Sequence, residues 1–491
     1  MKDLHRKEFG DFQTPKELAR LMMNVLQKKN FSPEIIVEPT CGLGSVLLTA
    51  DAVFKPKRTL GIEIQKEYVA FLAQKARKEI TVLHSDFFYS LQAIKNFISD
   101  DENILFVGNP PWVTNAELSL LASANFPKKS NFDSVRGIEA ITGKSNFDIS
   151  EYIIQTLIDT FCDKKAIYAF LCKTSVAKKI MNRLWKKQYR YNSSELYPID
   201  SKKYFNAAVD ACLFVLDFTE KKVNSELDIF ISIENRTKRY TSGYVGNVYL
   251  EDMSKKKYLD IYGKSQFIWR NGIKHDCAKV MELKMNNFQL FNGYDEIVAV
   301  ESDLLYPYLK SSDLVKERIE IKRKILVTQR YINEPTEQIK MKYPKAWKYL
   351  NNHEFDFEKR KSIVYKNKGK FSLFSVGDYT FKPYKIAISG LYKSLNFKLI
   401  YPSDGKPVLL DDTCNFISFD NENEALFVFS LLKHEIVICY LNSRISWEAK
   451  RPIKTEILNS IDFAKVADRL AMSKEYHFYF GAIARQNVLF A

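Results

Sequence analysis

One short stretch, Gly-Asn-Pro-Pro-Trp at residues 108–112, constrains the fold of this 491-residue chain more than any other. It follows an apolar run at residues 104–107 that is typical of a buried parallel strand. Two consecutive prolines cannot extend a strand, because neither has an N–H to donate to a neighbour. We therefore predict that the strand ends at Asn109 and that a stiff turn follows at its carboxyl end, where ligands bind in open α/β sheets.

The residues of this turn suit an amino group carried on an aromatic ring. The Asn109 side-chain carbonyl and the Pro110 main-chain carbonyl are two acceptors at one point. Hydrogen bonds from both N–H groups of such an amine would localise the nitrogen lone pair and make it a better nucleophile. Trp112 offers a flat apolar face on which a flipped base can stack. The alternative is a plain Pro-Pro turn beside a buried Trp.

Composition narrows the class of protein. A hydrophobic content of 46% is typical of a globular chain, and no apolar run is long enough to span a membrane. The N-terminus has no secretory signal, so we expect a cytoplasmic protein of bacterial type without a membrane partner. The seven Cys form no Cys-x-x-Cys pair and the six His form no His-x-x-His pair. We therefore expect neither a disulfide framework nor a metal site.

Positive charge is concentrated late in the chain. The formal net charge is +15, and residues 311–400 hold 20 Lys and Arg against 9 Asp and Glu. Aromatic residues are interleaved with these cations, a combination that favours nucleic-acid binding over a merely solvated surface.

Three predicted strands upstream of the turn each lead to a carboxylate. The first predicted strand, residues 35–37, leads to Glu38. The second, residues 59–64, carries Glu63 at its end, and the third, residues 80–84, leads to Asp86. The glycine turn after Glu38 lacks both the G-x-G-x-x-G and the P-loop pattern, so its ligand should carry no pyrophosphate. Glu38 would attract an ammonium group, Glu63 stands where an acid binds ribose hydroxyls, and Asp86 could accept from an adenine amino group.

This order of motifs resembles the gamma-class S-adenosylmethionine-dependent DNA adenine-N6 methyltransferases. The cofactor-binding residues that the resemblance implies are Thr14, Pro15, Glu38, Cys41, Gly42, Gly44, Glu63, Asp86, Phe87 and Asn109. The catalytic residues that it implies are Asn109, Pro110, Pro111 and Trp112, with Phe205 on the other side of the base pocket and Tyr204 as its rival. Trp112 stands where Tyr or Phe is commoner, which keeps the stacking face.

The resemblance implies a two-domain α/β protein. Residues 1–235 are expected to form a Rossmann-like methyltransferase domain, a mostly parallel seven-stranded sheet with helices on both faces. Residues 236–491 are expected to form an α+β DNA target-recognition domain. The DNA contacts expected in it are Arg270, Lys274, His275, Tyr379 and Lys382, the last two on a predicted hairpin at residues 375–385.

The implied reaction is transfer of a methyl group from S-adenosylmethionine to N6 of a flipped adenine in double-stranded DNA, leaving S-adenosylhomocysteine and using no metal. We expect a monomer that modifies DNA in a restriction–modification system, and whether a cognate restriction endonuclease exists stays open. An RNA adenine or a protein glutamine amide methyltransferase could use the same motif. A nuclease is a further alternative, because Asp313, Glu320 and Lys322 faintly resemble a metal site.

Overall fold

The computed structural model describes residues 12–113, 148–286 and 289–488. The chain forms two compact units, Met1–Tyr249 and Leu250–Ala491. The predicted boundary at 235/236 falls between two strands of the first unit's sheet, so the first unit extends further than predicted. The helices in these described ranges include none with both the length and the apolar character needed to cross a membrane.

One mixed sheet of ten strands forms the centre of the first unit. Its strands are β1 (Ile35–Glu38), β2 (Arg58–Glu63), β3 (Ile80–His84), β4 (Ile104–Gly108), β5 (Ala166–Lys173), β6 (Ser193–Ile199), β7 (Ala211–Asp217), β8 (Glu226–Phe230), β9 (Lys238–Val245) and β10 (Val248–Leu250). Its helices are α1 (Lys16–Leu26), α2 (Ser45–Phe54), α3 (Lys66–Ala73), α4 (Phe87–Phe97), α5 (Ile149–Phe161), α6 (Thr174–Lys186) and α7 (Ser201–Phe205).

The strand order is β10-β9-β8-β6-β7-β5-β4-β1-β2-β3. Strands β1 to β5 pair in parallel, and β7 runs antiparallel between β5 and β6. This arrangement confirms the predicted α/β class with a mostly parallel sheet. Strands β8 to β10 extend the predicted seven strands at the β6 edge.

Alternating side chains of the central strands pack against helices on both faces. Ile35 and Val37 share one apolar cluster with helices α4, α5 and α6, whereas Ile36 shares another with α1 and α2. Because both faces are covered, the central strands are continuous apolar runs, as expected for a parallel sheet. The carboxyl ends of β1, β2, β3 and β4 therefore meet at one edge of the sheet.

The second unit contains two smaller sheets. The five-stranded sheet has the order β13-β12-β15-β14-β18 and the four-stranded sheet the order β11-β19-β16-β17. The strands are β11 (Arg270–Asn271), β12 (Glu282–Asn286), β13 (Gln289–Phe291), β14 (Leu305–Leu309), β15 (Arg323–Leu326), β16 (Tyr384–Ser389), β17 (Lys398–Ile400), β18 (Leu409–Leu410) and β19 (Cys414–Phe419). The helices are α8 (Ala278–Met281), α9 (Ser311–Leu314), α10 (Ile339–Lys342), α11 (Pro344–Asn352), α12 (Glu354–Glu358), α13 (Asp378–Phe381), α14 (Glu422–Lys433), α15 (Glu435–Arg444), α16 (Thr455–Leu458), α17 (Phe463–Arg469) and α18 (Ser473–Val488).

The predicted hairpin at residues 375–385 is wrong. Residues Asp378–Phe381 form the short helix α13, and the chain then enters β16, which pairs with β17 and β19 instead of with a preceding strand. The Gly377 N–H donates to the Thr380 hydroxyl at 3.2 Å, and this local bond favours the helical turn.

Candidate active site

A cavity that is open to solvent lies at the edge where β1, β2, β3 and β4 end. Eight of the predicted cofactor residues line it: Thr14, Glu38, Cys41, Gly42, Glu63, Asp86, Phe87 and Asn109. The sheet topology thus brings together residues that lie as far apart as positions 14 and 109 in the chain. Pro111 of the predicted catalytic turn also lines the cavity.

Pro15 and Gly44 are not among the lining residues. Pro15 precedes helix α1 as its N-cap residue. Gly44 has a φ of +77°, and a Cβ at this position would lie 2.2 Å from the Leu72 side chain. The conformation and close packing of Gly44 therefore explain the glycine without a ligand.

Glu38 ends β1 as a buried carboxyl group in the wall of the cavity. Its Oε2 has no hydrogen-bond partner among the described residues. Burial, and then the charge of Glu63, raises the pKa of Glu38 well above its ordinary value. Burial likewise raises the pKa of the Cys41 thiol, which is therefore neutral. An unpaired acid in this position suits a cationic group of a ligand.

Glu63 holds the glycine turn against the end of β2. Its Oε2 accepts from the Gly42 N–H at 2.8 Å and its Oε1 from the Gln65 N–H at 2.8 Å. A carboxylate oxygen can accept more than one hydrogen bond, so these two backbone contacts do not exclude a ligand hydroxyl.

Asp86 is both the N-cap of α4 and a lining residue of the cavity. Its Oδ1 accepts from the Phe88 N–H at 2.9 Å. Phe88 lines the cavity beside Phe87, and its ring makes an edge contact with Tyr152 at 5.3 Å between centroids. Sequence reasoning missed Phe88, although its place beside Phe87 at the start of α4 was a usable signal.

The two polar atoms of the Asn109 side-chain amide, just after β4, differ in their hydrogen bonding. Its Nδ2 donates to the Phe12 carbonyl at 2.9 Å. Its Oδ1 is buried without a hydrogen-bond partner in the described part of the chain. This is the acceptor that the Asn-Pro-Pro-Trp turn predicts for a substrate amine.

Two lining residues that sequence reasoning missed precede Thr14. Phe12 provides the carbonyl that binds Asn109, and the Gln13 Oε1 accepts from the Leu43 N–H at 3.0 Å. The only signal for them was their position next to a motif that resembles a cofactor-binding segment.

Trp112 and Phe205 are buried and pack edge to face, with ring centroids 5.1 Å apart and planes at 72°. The Trp112 Nε1–H donates to the Leu171 carbonyl at 3.3 Å. A base sandwiched between two rings needs about 7 Å, two van der Waals contacts of roughly 3.5 Å each. At this spacing the two rings leave no room for a base between them, so stacking there requires them to separate. Tyr204, the rival to Phe205, has its hydroxyl 2.8 Å from a Glu234 carboxylate oxygen.

Comparison with known proteins decides the class of this site. Residues 3–292, more than half of the chain, match the family described as N-6 DNA Methylase. The chain belongs to the N-6 DNA methylase family. Type II methyltransferase M.NspV from Nostoc sp. is 42% identical over 469 residues, which cover 94% of this chain and 97% of that relative. The predicted DNA adenine-N6 methyltransferase is thereby confirmed, and membership implies S-adenosylmethionine as the methyl donor.

Two further similarities are more limited. Type II methyltransferase M.CvrRI from Paramecium bursaria Chlorella virus XZ-6E is 34% identical over 109 residues, 22% of this chain and 26% of that relative. The solved structure of the Type IIL restriction-modification enzyme MmeI in complex with DNA has a TM-score of 0.54 and 11% identity. The alignment covers 94% of this chain and 65% of the MmeI chain. Because the identity is low, the likeness concerns the fold alone.

Two predicted DNA contacts of this methylase are already paired with acids. Lys274 Nζ lies 3.1 Å from an Asp276 carboxylate oxygen, and Lys382 Nζ lies 2.6 Å from that of Asp420. Each charge is therefore partly neutralised within the second unit, which weakens the case for either lysine as a phosphate contact.

His275 is buried, so the prediction that it contacts DNA is wrong for this arrangement. Its Nδ1 accepts from the Cys277 N–H at 3.2 Å, and its Nε2 lies 3.4 Å from the Glu282 carboxylate. The ring thus serves the interior of the second unit.

Two arginines in the second unit stack on two aromatic rings of helix α13. The Arg270 guanidinium carbon lies 4.4 Å from the Tyr379 ring centroid, and that of Arg330 lies 4.3 Å from the Phe381 centroid. Neither arginine has a carboxylate ion-pair partner among the described residues. Both guanidinium groups are held in place while their donors stay available.

The residues that suggested a nuclease have structural partners. Asp313 is buried, accepts from the Lys310 N–H at 2.9 Å and pairs with Arg323 at 3.2 Å. Glu320 pairs with Lys322 at 2.7 Å. These contacts account for the three residues of the faint motif without a metal.

Proposed function

We propose that this methylase is the modification enzyme of a restriction–modification system and methylates N6 of one adenine within a specific sequence of double-stranded DNA. The observation that carries the proposal is the open Oδ1 of Asn109 in the wall of a cavity that also holds the unpaired acid Glu38. The relative M.NspV, aligned over nearly its whole length, is named a Type II methyltransferase, which supports this role.

Asn109 and Pro110 act on the substrate amine. The Asn109 Oδ1 and the Pro110 carbonyl accept the two N–H groups of the flipped adenine, so that its lone pair points away from the ring plane. The donor supplies an electrophilic methyl group on a sulfonium sulfur. Transfer would form the N–C bond as the donor's C–S bond breaks, with the electron pair left on sulfur and the N6 proton passed to solvent. Positioning and electrostatics supply most of the rate, and no metal is needed.

The lining residues fit S-adenosylmethionine in three subsites. Glu38 would hold the α-ammonium group, since its Oε2 is buried and unpartnered in the described structure. Glu63 would accept hydrogen bonds from the ribose hydroxyls, since it lines the cavity at the end of β2. Asp86 would accept from the adenine amino group, and Phe87 and Phe88 would contact the ring. S-adenosylhomocysteine is the product.

Residues 250–491 are proposed to recognise the DNA target. Arg270, with Tyr379 beneath it, is retained from the predicted contacts, and Arg330, with Phe381 beneath it, is added. An arginine held flat on an aromatic ring offers a fixed pair of donors, which suits the edge of a guanine or a phosphate. A monomer then suffices, because one chain carries both transfer and recognition.

The test is methyl transfer from isotope-labelled donor to matched substrates. The purified chain is incubated with duplex DNA, with an RNA duplex of the same sequence and with a protein extract. We expect label in N6-methyladenine of the DNA alone, at one sequence. Label confined to RNA or protein, or no label in any adenine, would overturn the proposal. A cognate restriction endonuclease, if the system has one, should fail to cut the methylated duplex.

A further inference from the structure

The Asn109 amide must face one way for the proposed chemistry to work. The Phe12 carbonyl can only accept a hydrogen bond, so the Asn109 nitrogen, 2.9 Å away, must be the atom that faces it. The Oδ1 is then directed elsewhere, where it finds no partner among the described residues. In the opposite orientation, the amide would present N–H donors to a substrate amine that itself donates, and the two would repel.

The position of the Phe12 carbonyl depends on contacts on both sides of it. The Phe12 ring lies 5.8 Å from the Trp112 ring and 6.0 Å from the Phe205 ring, between centroids. Trp112 and Phe205 contact each other, so the three rings form one cluster. The next residue, Gln13, is tied to the Leu43 N–H at 3.0 Å. The ring cluster and this bond together fix the peptide group between them.

The same short segment joins the two halves of the site. Through its carbonyl, Phe12 contacts the residue that binds the methyl acceptor. Through its side chain, Gln13 contacts the glycine turn of the donor pocket, where a Cβ on Gly42 would lie 2.8 Å from the Gln13 amide. Phe12 therefore serves the acceptor side of the site and Gln13 the donor side.

We propose that Phe12 is a positioning residue for methyl transfer: its ring, held by Trp112 and Phe205, fixes its own carbonyl, which sets the orientation of the Asn109 amide. This inference rests on the proposed role of Asn109. It also assigns the buried aromatic cluster a function other than stacking on the base. The cluster holds the Phe12 carbonyl and thereby orients the Asn109 oxygen that accepts from the base.

The direct test is the variant Phe12→Ala, with Phe31→Ala as the matched control. Phe31 is also a partly buried ring that packs on the same apolar cluster, yet it is not a lining residue of the cavity. We expect Phe12→Ala to lower kcat about 30-fold or more with KM for DNA and donor affinity within about threefold, since a positioned acceptor acts in the transition state. Phe12→Tyr should restore most of kcat, and Phe31→Ala should change kcat less than about threefold.

A double-variant comparison separates positioning from a general structural role. If Phe12 acts through Asn109, Phe12→Ala should have little further effect on an Asn109→Ala enzyme. Multiplicative losses in the double variant, or an equal loss of kcat in Phe12→Ala and Phe31→Ala, would overturn the inference. Phe12→Leu provides a second variant should Phe12→Ala fold poorly. If the parent enzyme methylates no adenine, the proposed function fails instead of this inference.

Discussion

The two units treat their polar groups in opposite ways. At the sheet edge of the first unit, the Glu38 Oε2 and the Asn109 Oδ1 are buried and find no partner among the described residues. In the second unit, most of the predicted DNA contacts are engaged internally: Lys274 with Asp276, Lys382 with Asp420, and His275 in the interior. A buried acceptor without a hydrogen-bond partner is unfavourable in a folded protein. The difference indicates that the first unit keeps its buried acceptors for a ligand, whereas the second satisfies most of its candidate DNA contacts within itself.

The largest expected effect tests the open acceptor of the first unit. Asn109→Ala should lower kcat by about 10²–10³-fold, since an acceptor that acts on the reacting group is lost. Donor affinity measured by calorimetry should stay within about threefold, because three other subsites remain. Asn103→Ala is the control: this Asn immediately precedes β4, and the hydrogen bond that its side-chain amide makes within the described residues is to the Ser32 carbonyl, at 3.4 Å. Unchanged turnover of Asn109→Ala would remove the contrast between the units.

The second prediction concerns the stacked arginines of the second unit. Arg330→Ala and Arg270→Ala should each weaken discrimination at one base pair, or affinity for all duplexes, by roughly 10- to 100-fold. Arg469→Ala is the matched control, because Arg469 also lies over a ring, that of Tyr258, but pairs with Asp260. Competition between cognate and altered duplexes at several salt concentrations separates base contacts from phosphate contacts. An equal effect of all three variants would contradict the assignment.

The third prediction uses the raised pKa of Glu38. Because burial favours its neutral form in the empty cavity, binding of an ammonium group requires Glu38 to release a proton. Donor affinity should then rise with pH, by at most about tenfold per pH unit, until Glu38 is ionised in the empty protein. Glu38→Gln should lose that slope, and Glu34→Gln, at an acid outside the cavity lining that pairs with Lys57, should keep it. A pH-independent affinity in the parent would contradict the assignment.

The smallest expected effect is on the stability of the second unit. Lys385 in β16 is fully buried and donates to the Lys382 carbonyl at 2.6 Å, and burial lowers the pKa of Lys385 to about 7. Between that pH and its unfolded pKa of about 10.4, the unfolded chain binds more protons, so the free energy of unfolding rises with pH. Lys385→Met should remove this slope and add at least about 1 kcal/mol at pH 7. Denaturant melts from pH 6 to 10 measure it, with Lys433→Met at an exposed lysine as the control.

The first unit was predictable from sequence because its site follows from strand order. Parallel strands end at one edge, so Glu38, Glu63 and Asn109 had to lie near one another once each was recognised at a strand end. Contacts made by a neighbouring segment were beyond this reasoning. The Phe12 main-chain carbonyl accepts from the Asn109 side chain, 97 positions away. Every residue type has such a carbonyl, so the sequence gives no signal for this contact.

The second unit was less predictable because exposure depends on local pairing. The sequence presents Lys382 and Arg270 alike as cations near aromatic residues. Only the fold reveals that Asp420 neutralises the first and that Tyr379 supports the second. The burial of His275 likewise depends on strands that are distant in the chain, such as β14, whose Tyr308 ring lies 6.3 Å from the His275 ring.

The most direct measurement is a crystal structure of the enzyme with a target duplex and a non-reactive analogue of the methyl donor. The account predicts the flipped adenine in the cavity, with its N6 about 3 Å from both the Asn109 Oδ1 and the Pro110 carbonyl. It also predicts that the Asn109 nitrogen still faces the Phe12 carbonyl. An adenine amino group bound elsewhere, or an Asn109 amide with its nitrogen toward N6, would contradict it.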